Sequence, residues 1–195
     1  MSVVLLLSGG IDSTALAYWQ RPKHTLTIDY GQAAAAAEQR AAAEVALELN
    51  LDHHTMTVDL LTLGLGCMAG LKRKINAPTP EWWPFRNQLL ITLAAAKAVV
   101  LDADAVMIGT LATDSLHADG RPEFIETMRA LLYQQERQIK LLAPASKMNA
   151  IQLVRRSGVS SQLLAWTHSC HVAHYACGIC RGCQKHIETM DAFKT

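Results

Sequence analysis

Two stretches of this 195-residue chain carry residue types at spacings that can do chemistry. The first is Ser8-Gly9-Gly10-Ile11-Asp12-Ser13-Thr14, directly after an apolar run at residues 3–7. Two glycines let a backbone bend until successive N–H groups converge. The hydroxyls of Ser8, Ser13 and Thr14 add donors, and a helix beginning there adds partial positive charge. Such a turn suits phosphate. It has neither the lysine of the nucleoside-triphosphate P-loop nor the spacing of the dinucleotide fingerprint. It therefore fits a pyrophosphate that departs intact better than a γ-phosphate being steered. Asp12 can hold Mg2+ against those phosphates; the plainer role for Asp12 or Ser13 is a helix N-cap. The second stretch is Cys177-x-x-Cys180-x-x-Cys183, with Cys170 seven residues upstream. Four thiolates so spaced read as a closed, structural Zn2+ site. An Fe–S cluster is the alternative, since three close cysteines are also its signature. His168, His171, His174 and His186 lie nearby, but a complete cysteine set needs no substitute ligand.

These residues need a frame to position them. Apolar, β-branched runs predict strands at 3–7, 24–31, 53–60 and 105–109. Helical patterns cover 12–19, 33–50, 87–101, 121–138 and 147–158. The alternation predicts an α/β, doubly wound parallel sheet, with ligands at the carboxyl ends of its strands. The alanines at 33–37 then form a helix face, which Asn50 closes. Glycines and prolines make 62–84 irregular. Residues 1–160 are expected to form a phosphate-binding unit, and 161–195 a zinc-binding segment packed on it, the two making a single structural unit.

Composition narrows the class. A formal net charge of +1 leaves no electrostatic footprint for nucleic acid. No apolar run reaches the length of a membrane span or a secretory signal, so a cytoplasmic protein is expected. At the ligand edge of the sheet, Arg86 can neutralise a phosphate or a carboxylate. Asp114 can face a purine edge or Mg2+, or serve as a cap, and Lys147 can reach phosphates or lie on a helix surface. Asp29 and Tyr30 end a strand at this edge, where their backbone groups can meet a ligand. Trp82, Trp83 and Phe85 can stack on a purine, although aromatic residues beside prolines are more often packing or interface. Cys67 reads as a buried filler.

Ser8–Thr14 resembles the SGGxDS motif of the ATP pyrophosphatases, the PP-loop family with an adenine nucleotide alpha hydrolase-like fold. Asp29-Tyr30-Gly31-Gln32, Pro84-Phe85-Arg86-Asn87 and the late cysteines make the chain similar, over nearly its whole length, to the 7-cyano-7-deazaguanine synthases. The resemblance implies an ATP- and Mg2+-dependent carbon–nitrogen ligase with a structural Zn2+, commonly a homodimer. Such enzymes adenylate 7-carboxy-7-deazaguanine and then use ammonia to form an amide and a nitrile. It implies nucleotide contacts at Ser8, Gly9, Gly10, Asp12, Ser13, Thr14, Asp29, Tyr30, Gly31 and Gly109. Catalytic roles would fall to Asp12, Arg86, Asp114 and Lys147. The chain departs from the pattern where Ala33-Ala34 replace an Arg-His pair and Phe85 replaces a glycine. Asp119-Gly120-Arg121 replaces Asp-Cys-Arg, and the segment before Pro84 is shortened. A relative that passes the acyl group to a larger amine, such as a protein amine in an anti-phage system, would carry such changes. Two other classes remain. A tRNA-modifying PP-loop enzyme would need a basic face and a catalytic cysteine pair, and a non-catalytic nucleotide-binding partner would show no turnover.

Overall fold

The computed structural model describes residues 1–194. Its elements are β1 (Val3–Leu6), α1 (Ile11–Gln20), β2 (His24–Asp29), α2 (Ala35–Glu48), β3 (Asp52–Thr57), α3 (Arg86–Val100), β4 (Ala105–Met107), α4 (Pro122–Tyr133), β5 (Lys140–Leu142), α5 (Ala150–Ser157), α6 (Ser161–Leu164) and α7 (Arg181–Lys194). The five strands form one parallel sheet in the order β3-β2-β1-β4-β5. The winding reverses between β1 and β4, and doubly wound sheets open their ligand crevice at such a reversal.

Side chains alternate along a strand, so neighbouring residues of β1 serve opposite layers. Val3, Leu5 and Leu7 pack with Leu16 of α1, Val45 of α2 and Leu153 of α5. Val4 joins Leu26 and Val106 beneath Ile91 of α3 and Met128 of α4. Both faces of the sheet are covered, which is why β1 is an unbroken apolar run. The alanines of α2 form a packed face, with Ala37, Ala41 and Ala42 buried, and Asn50 ends it in the left-handed region at φ 52°.

Several boundaries differ from those expected. The helix expected over 121–138 ends at Tyr133, and β5 follows it. Lys140-Leu141-Leu142 starts on a lysine and makes no apolar run like the one that marks β4, so pattern reading does not pick β5 out. The helix expected from 147 begins at Ala150, because Asn149 caps it: Asn149 Oδ1 accepts from Gln152 N, and Gln152 Oε1 accepts from Asn149 N, each at 2.9 Å. Lys147 consequently lies on an exposed turn rather than on a helix. The segment between β3 and α3 is irregular as expected, with only short 3-10 turns at Leu61–Leu63 and Cys67–Ala69. Cys67 is half-buried rather than a core filler. Trp83 is buried, with its ring edge-on to Tyr30 at 4.9 Å and 82°.

Phe85 is the N-cap of α3, with φ 58° and its ring 69% exposed. A left-handed conformation at an L-residue costs about 1–2 kcal/mol, part of which glycine gives back in unfolded-chain entropy. Phe85→Gly is therefore expected to raise the urea midpoint at unchanged slope, by the equivalent of about 1 kcal/mol. An unchanged or lower midpoint would mean that the exposed ring stabilises the fold.

Candidate active site and metal centre

The turn after β1 opens into α1 with Gly10 as N-cap, and no side chain caps the helix. Neither Asp12 nor Ser13 is the N-cap. Ser13 Oγ instead donates to Gly10 O at 3.1 Å and lies 3.1 Å from Ser8 Oγ. The N–H groups of the first turn therefore face outward without a side-chain partner, as an anion site requires. The two glycines do different work. Gly9 has φ +74°, and a Cβ there would lie 2.7–2.8 Å from Ala41 Cβ, Ala42 N and Glu38 O, so it allows α2 to press against the turn. A Cβ on Gly10 would meet nothing closer than 3.5 Å. Gly9→Ala should lower stability by about 3 kcal/mol, read as a depressed melting temperature. Gly10→Ala should melt like the parent and lose nucleotide affinity; equal melting of both variants would contradict the division.

A cavity of about 790 Å3 opens at the carboxyl ends of β1, β2 and β4. Ser8, Gly10, Asp12, Ser13, Tyr30, Arg86, Gly109 and Asp114 line it. Its charges come from distant parts of the chain. Lys185 of α7 reaches Asp12, with Nζ 2.6 Å from Oδ2, while Asp12 Oδ1 is buried without a partner. Burial raises the Asp12 pKa and Lys185 opposes the rise. Arg86 begins α3 and donates to Met68 Sδ at 3.0 Å. Burial works against its charge, but Tyr30, Asp119, Glu38 and Asp114 keep it protonated. Glu38 of α2 is a second buried carboxyl whose pKa burial raises, although Gln32 donates to it at 2.8 Å. Glu81, from the irregular segment, accepts from Arg181 Nη1 at 2.6 Å. Burial would raise its pKa, but His117, a backbone hydrogen bond and Arg181 hold it down at about 2. Burial pushes His171 down to about 4 against the pull of Glu81, so its imidazole is neutral at pH 7.

The other expected site residues sit differently. Asp114 lines the cavity and also accepts from Leu111 N at 2.8 Å, so it caps its own turn. Gly120 lets Asp114 O approach, since a Cβ there would stand 2.3 Å from it, so no side chain fits on this backbone. Thr14 is buried behind the loop with an unpartnered hydroxyl. The Asp29–Gln32 stretch is bonded to itself: Asp29 Oδ1 accepts from Gly31 N at 3.0 Å, and Gln32 Oε1 accepts from Tyr30 N at 2.9 Å. Of these four only Tyr30 lines the cavity. Ala33 N donates to Met68 O of the irregular segment at 2.8 Å, and neither Ala33 nor Ala34 lines the cavity. Lys147 is also outside the lining. Sequence reasoning missed Lys185, Glu38, Glu81 and Arg181. Lys185 and Arg181 stand within or beside the cysteine motif, which was the one local signal pointing to them.

The four cysteine sulfurs lie within 4.8 Å of one another, with Cys177–Cys183 and Cys170–Cys180 each at 3.9 Å. Four thiolates around one ion at ~2.3 Å place their sulfurs about 3.8 Å apart. The spacing thus fits a single tetrahedral ion; a four-iron cubane would hold its sulfurs on separate irons, further apart. Gly178 makes the turn at φ +76°. Gly182 is needed for close approach, since a Cβ would stand 1.9 Å from Ser169 O. His168 N donates to Gly9 O at 2.8 Å, which stitches this segment to the glycine turn after β1.

The family model described as queuosine biosynthesis protein QueC matches residues 2–194. A 7-cyano-7-deazaguanine synthase of Thiobacillus denitrificans is 33% identical over 205 residues, covering 93% of this chain and 89% of the relative. The synthase of that name from Nitrosospira multiformis is 30% identical, covering 94% and 88%. Among solved structures, the U34-tRNA thiolase NcsA from Methanococcus maripaludis with its [4Fe-4S] cluster aligns with a TM-score of 0.56 at 14% identity, covering all of this chain and 66% of that one. That likeness concerns the fold alone.

Proposed function

Because this chain belongs to the QueC family of queuosine biosynthesis proteins, we propose that it is an ATP-dependent ligase for 7-carboxy-7-deazaguanine. The observation that carries the reading is the meeting, at the sheet's reversal point, of an uncapped helix N-terminus, the Asp12–Lys185 pair and Arg86 in one cavity. The substrate carboxylate attacks the α-phosphorus of ATP, the bond to the β-phosphate breaks, and pyrophosphate leaves. An amine then attacks the acyl carbon and AMP departs. With ammonia the product is the amide, and a second round on the amide oxygen gives the nitrile.

The chain's residues divide this work. The N–H groups of α1, with Ser8 and Ser13, receive the departing pyrophosphate, and Lys185 is placed to neutralise it. Arg86 holds the substrate carboxylate against the α-phosphate, Tyr30 and Gly109 border the nucleotide, and Asp114 faces the base edge. Asp12 fits Mg2+, because its buried Oδ1 has no other partner. That ion would supply charge neutralisation on the phosphates. The four cysteines fit a structural Zn2+.

Pyrophosphate release from ATP, measured with and without the deazaguanine acid, tests the reading. Release that depends on the acid supports it; release without the acid, or none, overturns it. A second acceptor, a protein amine, is favoured by Phe85, an exposed apolar ring beside Arg86 where the resembling family has glycine. Mass spectrometry of the products separates the two: nitrile with ammonia, or a partner protein heavier by the acyl group.

A further inference from the structure

At the far end of the sheet from the cavity, three side chains converge that the proposed reaction does not use. The register of the parallel pair β2 and β3 sets His24 opposite Asp52 and Leu26 opposite His54. Side chains alternate along each strand, so His24, Asp52 and His54 share one face. The neighbouring pair Thr25 and His53 occupies the other, with Oγ1 and Nδ1 2.9 Å apart. Both imidazoles of the first face meet a single atom: His24 Nδ1 and His54 Nε2 lie 2.7 and 3.1 Å from Asp52 Oδ2. All three donor atoms fall within 4.8 Å of one another. At ~3.3 Å per residue along β2, this cluster stands about 20 Å from Tyr30 and the cavity.

We propose that His24, Asp52 and His54 form a binding site for a divalent first-row transition ion of the Zn2+ class, distinct from the four-cysteine centre. The donor chemistry sets the class. Two imidazoles and one carboxylate suit Zn2+, Ni2+ or Cu2+, whereas all-oxygen sets suit Mg2+ and Ca2+ and thiolate sets suit softer ions. An ion bound at ~2.0–2.2 Å needs its donors roughly 3–3.5 Å apart, so the two observed approaches to Asp52 are near the required spacing. The walls are unequal in a useful way. The His24 side chain is 6% exposed and fixed, while Asp52 is 54% exposed and free to swing outward as an ion enters. Solvent fills the remaining coordination positions on that open side. Binding replaces the hydrogen bond at His24 Nδ1 with a coordinate bond. His24 Nε2 already lacks a partner, so no further buried nitrogen loses one. The consequence is mechanical. β3 is an edge strand whose one strand neighbour among the described residues is β2, and the ion would strap the start of one to the start of the other.

The test loads the intact protein with one equivalent of Zn2+ for its cysteines, removes free metal and titrates Ni2+ by calorimetry. His54→Gln and Asp52→Asn are run beside the parent, and melting curves establish that each is folded. The parent is expected to take one further equivalent, with a Ni2+-dependent rise in melting temperature. Each variant should bind it roughly 100-fold more weakly or worse, and lose that rise. The proposal is overturned if the parent takes no further equivalent, or if either variant keeps the parent's affinity. Neither result depends on ATP or the deazaguanine acid, so the site stands or falls apart from the proposed reaction.

Discussion

Asp12→Asn is expected to fold like the parent yet release pyrophosphate about 10²–10³-fold more slowly in the presence of ATP, Mg2+ and the deazaguanine acid. The reason lies in the two oxygens of one carboxylate. Oδ2 faces Lys185 at 2.6 Å, and Oδ1 is buried with no partner at the mouth of an uncapped helix. Asparagine keeps the shape but removes the charge and turns an N–H2 donor toward the phosphates or toward Lys185. The pH dependence gives the sharper test. Burial raises the Asp12 pKa, so the reactive carboxylate is lost at a pH above the ordinary carboxylate range as the solution is acidified. The acid limb of kcat/KM should therefore lie above that range in the parent and be absent in Asp12→Asn. Lys185 works against the burial, so Lys185→Met should move the limb to still higher pH. A merely structural lysine would change kcat or stability and leave the limb in place. An unmoved limb in Lys185→Met would remove Asp12 and Lys185 from the reaction as a pair.

Much of this arrangement is readable in the sequence, and the boundary between what is and is not readable is physical. β1 and β2 are apolar or β-branched runs, α2 and α3 are long enough to show a helical pattern, and α2 carries its own stop signal in Asn50. The glycine turn after β1 and the cysteine centre are legible because their residues sit within a few positions of one another. The charged lining of the cavity is different. Lys185 meets Asp12 across 173 residues and Arg181 meets Glu81 across 100, and no local pattern encodes either pair. Two motifs are also easy to misread. The side chains of Asp29 and Gln32 close a turn on their own backbone and stay out of the cavity lining. Gly9 and Gly182 answer to neighbouring elements packed against them, which only the folded chain shows.

The cysteine centre links these observations, because everything α7 brings to the cavity depends on where it is held. An isolated 14-residue helix is marginal in water, and its stability in a protein comes from its packed face. Here that face is thin. Met190 and Phe193 are only partly buried against the core, and Ile187 is 46% exposed. Other anchors among the described residues include Arg155 Nη2 donating to Ala192 O at 3.3 Å, the His168–Gly9 hydrogen bond, the Arg181–Glu81 and Lys185–Asp12 pairs, and the four sulfurs. Half-exposed ion pairs add little, whereas a tetrahedral thiolate site can be worth about 10 kcal/mol. Stripping the metal with a chelator, or Cys183→Ser, is therefore expected to release residues 167–194 while the parallel sheet stays folded. Limited proteolysis should cut within that segment, and far-ultraviolet circular dichroism should lose only the α7 contribution. Pyrophosphate release should fall at least as far as in Lys185→Met, because Asp12 loses the same partner, but the acid limb should lie at lower pH than in Lys185→Met, because release of the segment also uncovers Asp12. Readdition of Zn2+ should reverse all three for the stripped parent and none for Cys183→Ser. Stripped protein that keeps the parent's pH profile would show that contacts other than the metal hold α7 in place.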